Sequence, residues 1–271
     1  MRTKLLVLVL LSFSCNTKPE TAAVTSPVST LLSGKLIDLT YAYDSTTIYW
    51  PTEEGFVFET GTEGYTDKGY YYTANSFRAA EHGGTHLDAP IHFAEGKRTV
   101  DEIPLQNLVG SAIVVDVSED AADQPDYQIS VKDFQQWEAE HGKIPNGTIV
   151  LVRTGYGRYW PNRVQYMGTD ERGIKAVAKL HFPGLHPEAA RWLIENRSIK
   201  AIGLDTPSID YGQSTQFESH QRLFQENIPA FENVANLDQL PIQGFIVIAL
   251  PMKIGGGSGA PLRIMAIVPE S

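Results

Sequence analysis

Three histidines and an aspartate fall within eleven residues in the stretch His82-Gly-Gly-Thr-His86-Leu-Asp88-Ala-Pro-Ile-His92-Phe93. Imidazole nitrogen and carboxylate oxygen together make a normal ligand set for Zn²⁺ or Mn²⁺. A His-x3-His pair can share one helical face, but Gly83-Gly84 disfavours a helix. In an extended chain, alternate side chains point the same way, so His86 and Asp88 share a face. The even spacing puts His82 on that side too, with the glycines allowing close backbone approach. Pro90 ends the strand and turns His92 back toward the ion, where a histidine near but not on a metal suits general acid–base work. Buried polar residues serving loop hydrogen bonds would be a blander account, and it explains four such residues at these spacings poorly.

The elements that must hold this cluster are legible along the chain. Strands are expected at 35–39, 111–117, 148–153, 201–204, 245–250 and 263–268. Several are unbroken β-branched runs, as for strands buried on both faces. Helices are expected at 130–141, where Ser130 can cap a Val131/Phe134/Trp137 stripe, and at 186–196, with Pro187 in the first turn. The last two strands have no helix between them, so the pattern implies a single α/β domain over 35–271, with a mixed β-sheet flanked by helices. Residues 155–179 hold Tyr156, Tyr159, Trp160 and Tyr166 among Gly, Pro, Asn and Arg. Such a segment is either a lid over a site or a surface insertion packed by its own aromatics.

The histidine-rich stretch resembles the His-x-Gly-Thr-His-x-Asp-Ala-Pro-x-His-Phe signature of the metal-dependent cyclase family, which includes kynurenine formamidases and isatin hydrolases. Every fixed position is present. Asp38-Leu-Thr40, Trp50-Pro51, Phe182-Pro-Gly-Leu185, Gly203-Leu-Asp-Thr-Pro-Ser-Ile-Asp210 and Gly259-Ala-Pro261 with Arg263 resemble further family blocks. The resemblance implies the family's swivelling β/β/α-like fold, one or two divalent ions, and a homo-oligomer, dimer or tetramer. It also implies His82, His86 and Asp88 on one ion, with His220 and Glu232 completing a second through a bridging Asp88. The residues alone speak weakly for that second pair. A helix over 220–225 can present His220, and Glu232 can return after Pro229, whereas Glu226 would point about 120° away from His220. His141, His181 and His186 have no partner at a ligand spacing.

The implied chemistry is kynurenine formamidase (arylformamidase)-like hydrolysis of a small aromatic amide or lactam by attack of activated water on a carbonyl, with an isatin hydrolase-like or other cyclic amide or lactone ring-opening enzyme as the alternative. His92 would take the water's proton and return it to the leaving nitrogen. Tyr49, Trp50, Tyr71 and Tyr159 are candidates to stack on such a ring, with core packing as the alternative for each. A non-catalytic binding lipoprotein and a metal-storage protein are the rival readings. Retention of all five candidate ligands and His92 opposes the first, and an open coordination position opposes the second.

The chain has 271 residues, 22 Lys+Arg against 32 Asp+Glu, and a net charge of −10. No Lys/Arg cluster marks a nucleic-acid partner. Residues 1–14 read as a signal peptide: Arg2 and Lys4 precede an apolar run, Leu5–Leu11, that is shorter than the ~20 residues a membrane span needs. The single cysteine, Cys15, follows directly and is the candidate lipidation site of a bacterial lipoprotein. Residues 15–34, rich in Thr, Ser, Ala and Pro, read as a tether. The expected location is the bacterial cell envelope, outside the cytoplasm, with membrane contact only through the lipid.

Overall fold

The computed structural model describes residues 34–269; the segment expected to be a signal peptide, Cys15 and nearly all of the segment expected to be a tether lie outside the described residues. Twelve strands occur among them: β1 (Lys35–Asp38), β2 (Val57–Tyr65), β3 (Tyr71–Arg78), β4 (His86–Asp88), β5 (Val109–Asp116), β6 (Gln128–Ile129), β7 (Ile149–Arg153), β8 (Gly184–Leu185), β9 (Ala201–Leu204), β10 (Ala230–Glu232), β11 (Phe245–Pro251) and β12 (Gly259–Val268). The three longest helices are α1 (Val131–His141), α2 (Pro187–Arg197) and α3 (Glu218–Gln225). No described helix is long and apolar enough to cross a membrane.

Eight strands form one mixed sheet in the order β1-β12-β11-β5-β7-β9-β10-β4. β4 also pairs with β12, which closes the sheet into a barrel-like circuit. The pairings β5–β7, β7–β9 and β9–β10 are parallel, and the rest are antiparallel. The long β12 makes closure possible: its start, Gly259–Pro261, pairs with β4, and its end, Met265–Val268, pairs with β1.

Both faces of the central strands are buried, which is why their sequences run apolar without alternation. Val114, Leu151, Phe231, Val247 and Ile264 fill the inner face. Ile113, Val115, Val150, Val152 and Ile202 meet the helices through Phe134, Leu193, Leu223 and Phe224. At the start of α1 the Asp133 carboxylate accepts from Ser130 N–H at 2.6 Å, one arm of a capping box. Trp137 Nε1 donates to Val114 O at 2.9 Å and fastens α1 to the sheet. Arg197 on α2 donates to Glu138 on α1 through two bonds of 2.5 Å. His186 accepts from Glu188 N–H and caps α2, a structural role.

The sequence reading had no counterpart for the β2–β3 hairpin, which stands outside the main sheet as a two-stranded ribbon. Residues 155–179 settle as packing rather than a lid. Tyr156, Tyr166 and Met167 bury themselves with Ile48, Leu180 and Phe182 in a satellite core, and Trp160 stacks on Tyr41 with ring centroids 4.2 Å apart.

Candidate metal centre and its cavity

β4 lies between β10 and β12, with Glu232 directly across from His86. His86 and Asp88 are two residues apart on one strand, so His86, Asp88 and Glu232 share a face by register. His82 arrives differently from the expected extended path. The strand begins only at His86, and the chain reaches it through Gly84 in the left-handed region at φ 59°. Gly83 is required by contact: a Cβ there would sit 2.1 Å from the Tyr49 ring. The His82 ring occupies the space left by the missing side chain of Gly259, where a Cβ would lie 2.4 Å from its Cε1. A single 3₁₀ turn, Pro90–His92, swings His92 back until its ring stacks on His82, centroids 3.8 Å apart.

α3 delivers His220 to the same point. Its Nε2 is 3.2 Å from Asp88 Oδ2 and 3.2 Å from Glu232 Oε1. Asp210 fixes the ring: Oδ2 is 2.6 Å from His220 Nδ1, and the same carboxylate accepts from the N–H groups of Ser219 and His220 at the start of α3. The backbone N–H of Ile209 holds Glu232 Oε1 at 2.8 Å. The structure thus brings together His82, His86, Asp88, His92, His220 and Glu232. Asp210 thus both caps α3 and orients His220.

The hydrogen bonds around the cluster test whether it suits a cation. Ser258 Oγ donates to Glu81 Oε2 at 2.6 Å, so it accepts from His82 Nε2 at 2.9 Å. That leaves the His82 Nδ1 lone pair facing Asp88 Oδ1 at 2.6 Å. His86 Nδ1 donates to Gly84 O at 3.0 Å, leaving Nε2 buried without a hydrogen-bond partner, 3.0 Å from Asp88 Oδ1 and 3.4 Å from Glu232 Oε2. His220 Nδ1 donates to Asp210, and its Nε2 also faces the two carboxylates. Three imidazoles thus turn ring nitrogens toward two buried carboxylates, an arrangement that a bound cation completes, in the manner of outward-anchored metal-binding histidines. His82, Asp88 and His92, and separately His86, Asp88 and Glu232, bring ligand atoms within 4.8 Å of one another. These residues fit a divalent ion.

Without an ion, the same carboxylates draw protons onto the rings. Burial pushes His86 and His220 down, but the surrounding carboxylates outweigh it: Asp88 first for His86, raised to about 9, and Asp210 first for His220, raised well above its usual value. Burial and then Asp88 raise Glu232, the response of two buried carboxylates lacking positive charge. Burial lowers His92 to about 4, helped by the neighbouring imidazoles against the pull of Asp88.

The cluster lies in a cavity of about 220 Å³ walled by Ile48, Trp50, Phe93 and Phe217. Phe217 sits 5.3 Å from Phe93 and 6.3 Å from Trp50, centroid to centroid. Phe93 and Phe217 had no assigned role in the sequence. Two expected stacking residues are corrected. Tyr71 lies on the exposed hairpin, and Tyr159 packs against Tyr156 with Arg158 over its ring; neither lines the cavity. Tyr49 lines it, but as a buried ring against Gly83.

The cyclase family model, described as "Putative cyclase", matches residues 37–211. The chain belongs to the cyclase family. Among cyclase-family relatives, the isatin hydrolase of Roseibium aggregatum is 33% identical over 76% of this chain and 79% of that protein. The kynurenine formamidase of Salinibacter ruber is 28% identical over 84% and 95%. The solved isatin hydrolase A of Labrenzia aggregata, bound to benzyl benzoate, superposes with a TM-score of 0.80 at 34% identity, covering 90% of this chain and 98% of that one. The protein is a metal-dependent hydrolase of the cyclase family with a site for a divalent ion.

Proposed function

We propose that this enzyme hydrolyses the C–N bond of a small aromatic lactam of the isatin type, using Zn²⁺ or Mn²⁺. The observation that carries this reading is the position of the imidazole–carboxylate cluster in a cavity whose apolar walls are Trp50, Phe93 and Phe217. About 220 Å³ suits a fused bicyclic ring better than an extended chain. When bound, a divalent ion supplies Lewis acidity toward a carbonyl oxygen and acidifies water at neutral pH. His82, His86 and Asp88 would hold it, with His220 and Glu232 completing a second position. His92, neutral at pH 7 and beside the cluster, accepts the attacking water's proton at its free ring nitrogen and returns it to the leaving nitrogen. Trp50 and Phe217 orient the ring plane. The relatedness to isatin hydrolases supports the lactam over the open-chain arylformamide, which remains the second reading through the kynurenine formamidases.

The test is hydrolysis of isatin, N-formylkynurenine and phenyl esters by protein loaded separately with Zn²⁺ and Mn²⁺. The expected result is a kcat/KM for the lactam at least tenfold above the others. A tenfold preference for the formamide would move the assignment to an arylformamidase, and no turnover of any amide would favour a binding lipoprotein. We also propose anchorage at Cys15 outside the cytoplasm; Cys15→Ser should move the protein from the membrane fraction to the soluble one.

A further inference from the structure

Asn233 follows Glu232, the last residue of β10, and is buried at 2% exposure. Its backbone takes the left-handed region at φ 53°, which asparagine tolerates better than most residues. That backbone is held on both sides: its N–H donates to Thr206 O at 2.9 Å, and its carbonyl accepts from Thr85 Oγ1 at 2.7 Å. The side chain reaches across to the loop before β4. Nδ2 donates to Gly84 O at 2.7 Å, and Oδ1 accepts from Tyr166 Oη at 2.9 Å. Gly84 O can only accept, so the amide nitrogen must face it and the amide oxygen must face Tyr166. Tyr166 is fixed in the satellite core, with its Oη also 3.0 Å from Asp205 O.

Gly84 O is also the atom to which His86 Nδ1 donates at 3.0 Å, the bond that leaves His86 Nε2 facing Asp88 and Glu232. Gly84 sits at φ 59°, and a glycine peptide turns more freely than any other. A second donor on its oxygen restrains that freedom, and Asn233 supplies it from 149 residues away. We propose that Asn233 is a positioning residue of the metal centre. Tyr166 orients the amide, the amide holds the Gly84 carbonyl, and the carbonyl aims the His86 ring. The amide's two bonds go to Gly84 and Tyr166, neither of them a ligand, so Asn233 acts through its neighbours. Because it directly follows Glu232, one residue ties the strand end that carries Glu232 to the loop that aims His86. The role rests on His86 as a ligand and is independent of which substrate is hydrolysed.

Two variants break this chain of contacts at different points. Asn233→Gly keeps the left-handed backbone and removes the amide. Tyr166→Phe keeps the amide and removes the hydroxyl that orients it. Zn²⁺ affinity is read by competition with a chromophoric chelator, and the visible absorption of the Co²⁺-loaded protein reads the geometry around the ion. Asn233→Gly should weaken Zn²⁺ binding about tenfold or more, and Tyr166→Phe about threefold or more. Both should shift the Co²⁺ bands. The double variant should match Asn233→Gly to within about twofold, because Tyr166 acts through the amide that is gone. A merely structural residue would lower Tm and leave affinity and Co²⁺ absorption at parent values. That result in both single variants overturns the inference, as does a fully additive loss in the double variant. Should Asn233→Gly fail to fold, Tyr166→Phe decides alone, and parent-like affinity there overturns it. His86→Ala separates two ways of failing. Undiminished Zn²⁺ binding in His86→Ala would withdraw His86 as a ligand and this role with it. Binding lost in His86→Ala but intact in Asn233→Gly would leave the ligand set standing and remove Asn233 alone.

Discussion

Asp210 and His220 form the contact on which the second half of the cluster depends. Asp210 Oδ2 lies 2.6 Å from His220 Nδ1, and the carboxylate also closes the first turn of α3. One side chain thus sets both where the helix starts and which ring nitrogen faces Asp88 and Glu232. Asp210→Asn should lower metal affinity by ~10–100-fold, the usual cost of losing a carboxylate behind a metal-binding histidine. Competition with a chromophoric chelator measures it, and a change under twofold would remove Asp210 from the site.

His86→Ala and Asp88→Asn should each strip most bound metal and abolish activity. His86 Nε2 is the buried lone pair without another partner, and Asp88 touches His82, His86 and His220. Elemental analysis of the dialysed variants decides this, with full metal content in both as the contrary result.

His92→Ala separates proton handling from ligation. Turnover should fall by ~10²–10⁴ with metal content preserved. The His82–Asp88–His92 grouping offers the opposing outcome: metal lost with activity would make His92 a ligand.

Trp50→Ala should raise KM about tenfold, equivalent to about 1.4 kcal/mol, with a smaller change in kcat. Trp50 lines the cavity and packs edge-on against Phe182 and Phe217. A fall in kcat at unchanged KM would contradict a role in holding the ring.

Acid stability should reflect Glu138. Its bonds to Arg197 hold the carboxyl below its ordinary value of 4.5, against a smaller opposing effect of burial. A depressed folded-state value stabilises fully above the unfolded-state value and is lost as pH falls through the folded one. The Tm difference between parent and Glu138→Gln should therefore be constant above about pH 5.5 and shrink steadily below pH 4.5. A difference independent of pH would assign the effect to packing.

The site divides by how local its causes are. His82, His86, Asp88 and His92 were legible because one loop, strand and turn carry them, punctuated by Gly83, Gly84 and Pro90. The route of His82 was misread because alternation was extended across Gly83-Gly84, where Gly84 takes the left-handed region. His220 and Glu232 were reached through family likeness; their convergence depends on β10 pairing with β4, which no spacing reveals. Ser258, held by Glu81, fixes the His82 tautomer from 176 residues away and carries no local mark. The central strands announced themselves by being apolar on both faces, whereas the polar run Thr60-Gly61-Thr62 hid the hairpin. Aromatic content pointed to Trp50, which lines the cavity, and equally to Tyr71 and Tyr159, which do not, since a ring's presence does not say which surface it faces.

The edge position of β1 has a mechanical consequence. β1 is the one strand of the main sheet outside the closed circuit, and it carries none of the cluster residues. Its rungs run from Lys35↔Val268 to Asp38↔Met265, and Arg263 clasps Asp38 at 2.8 Å where they end. Tension applied at residue 34 would meet those rungs before it met the pairings of β4 with β10 and β12. The edge rungs would therefore carry such a load first, and none of them joins β1 to a strand that bears a ligand other than through β12.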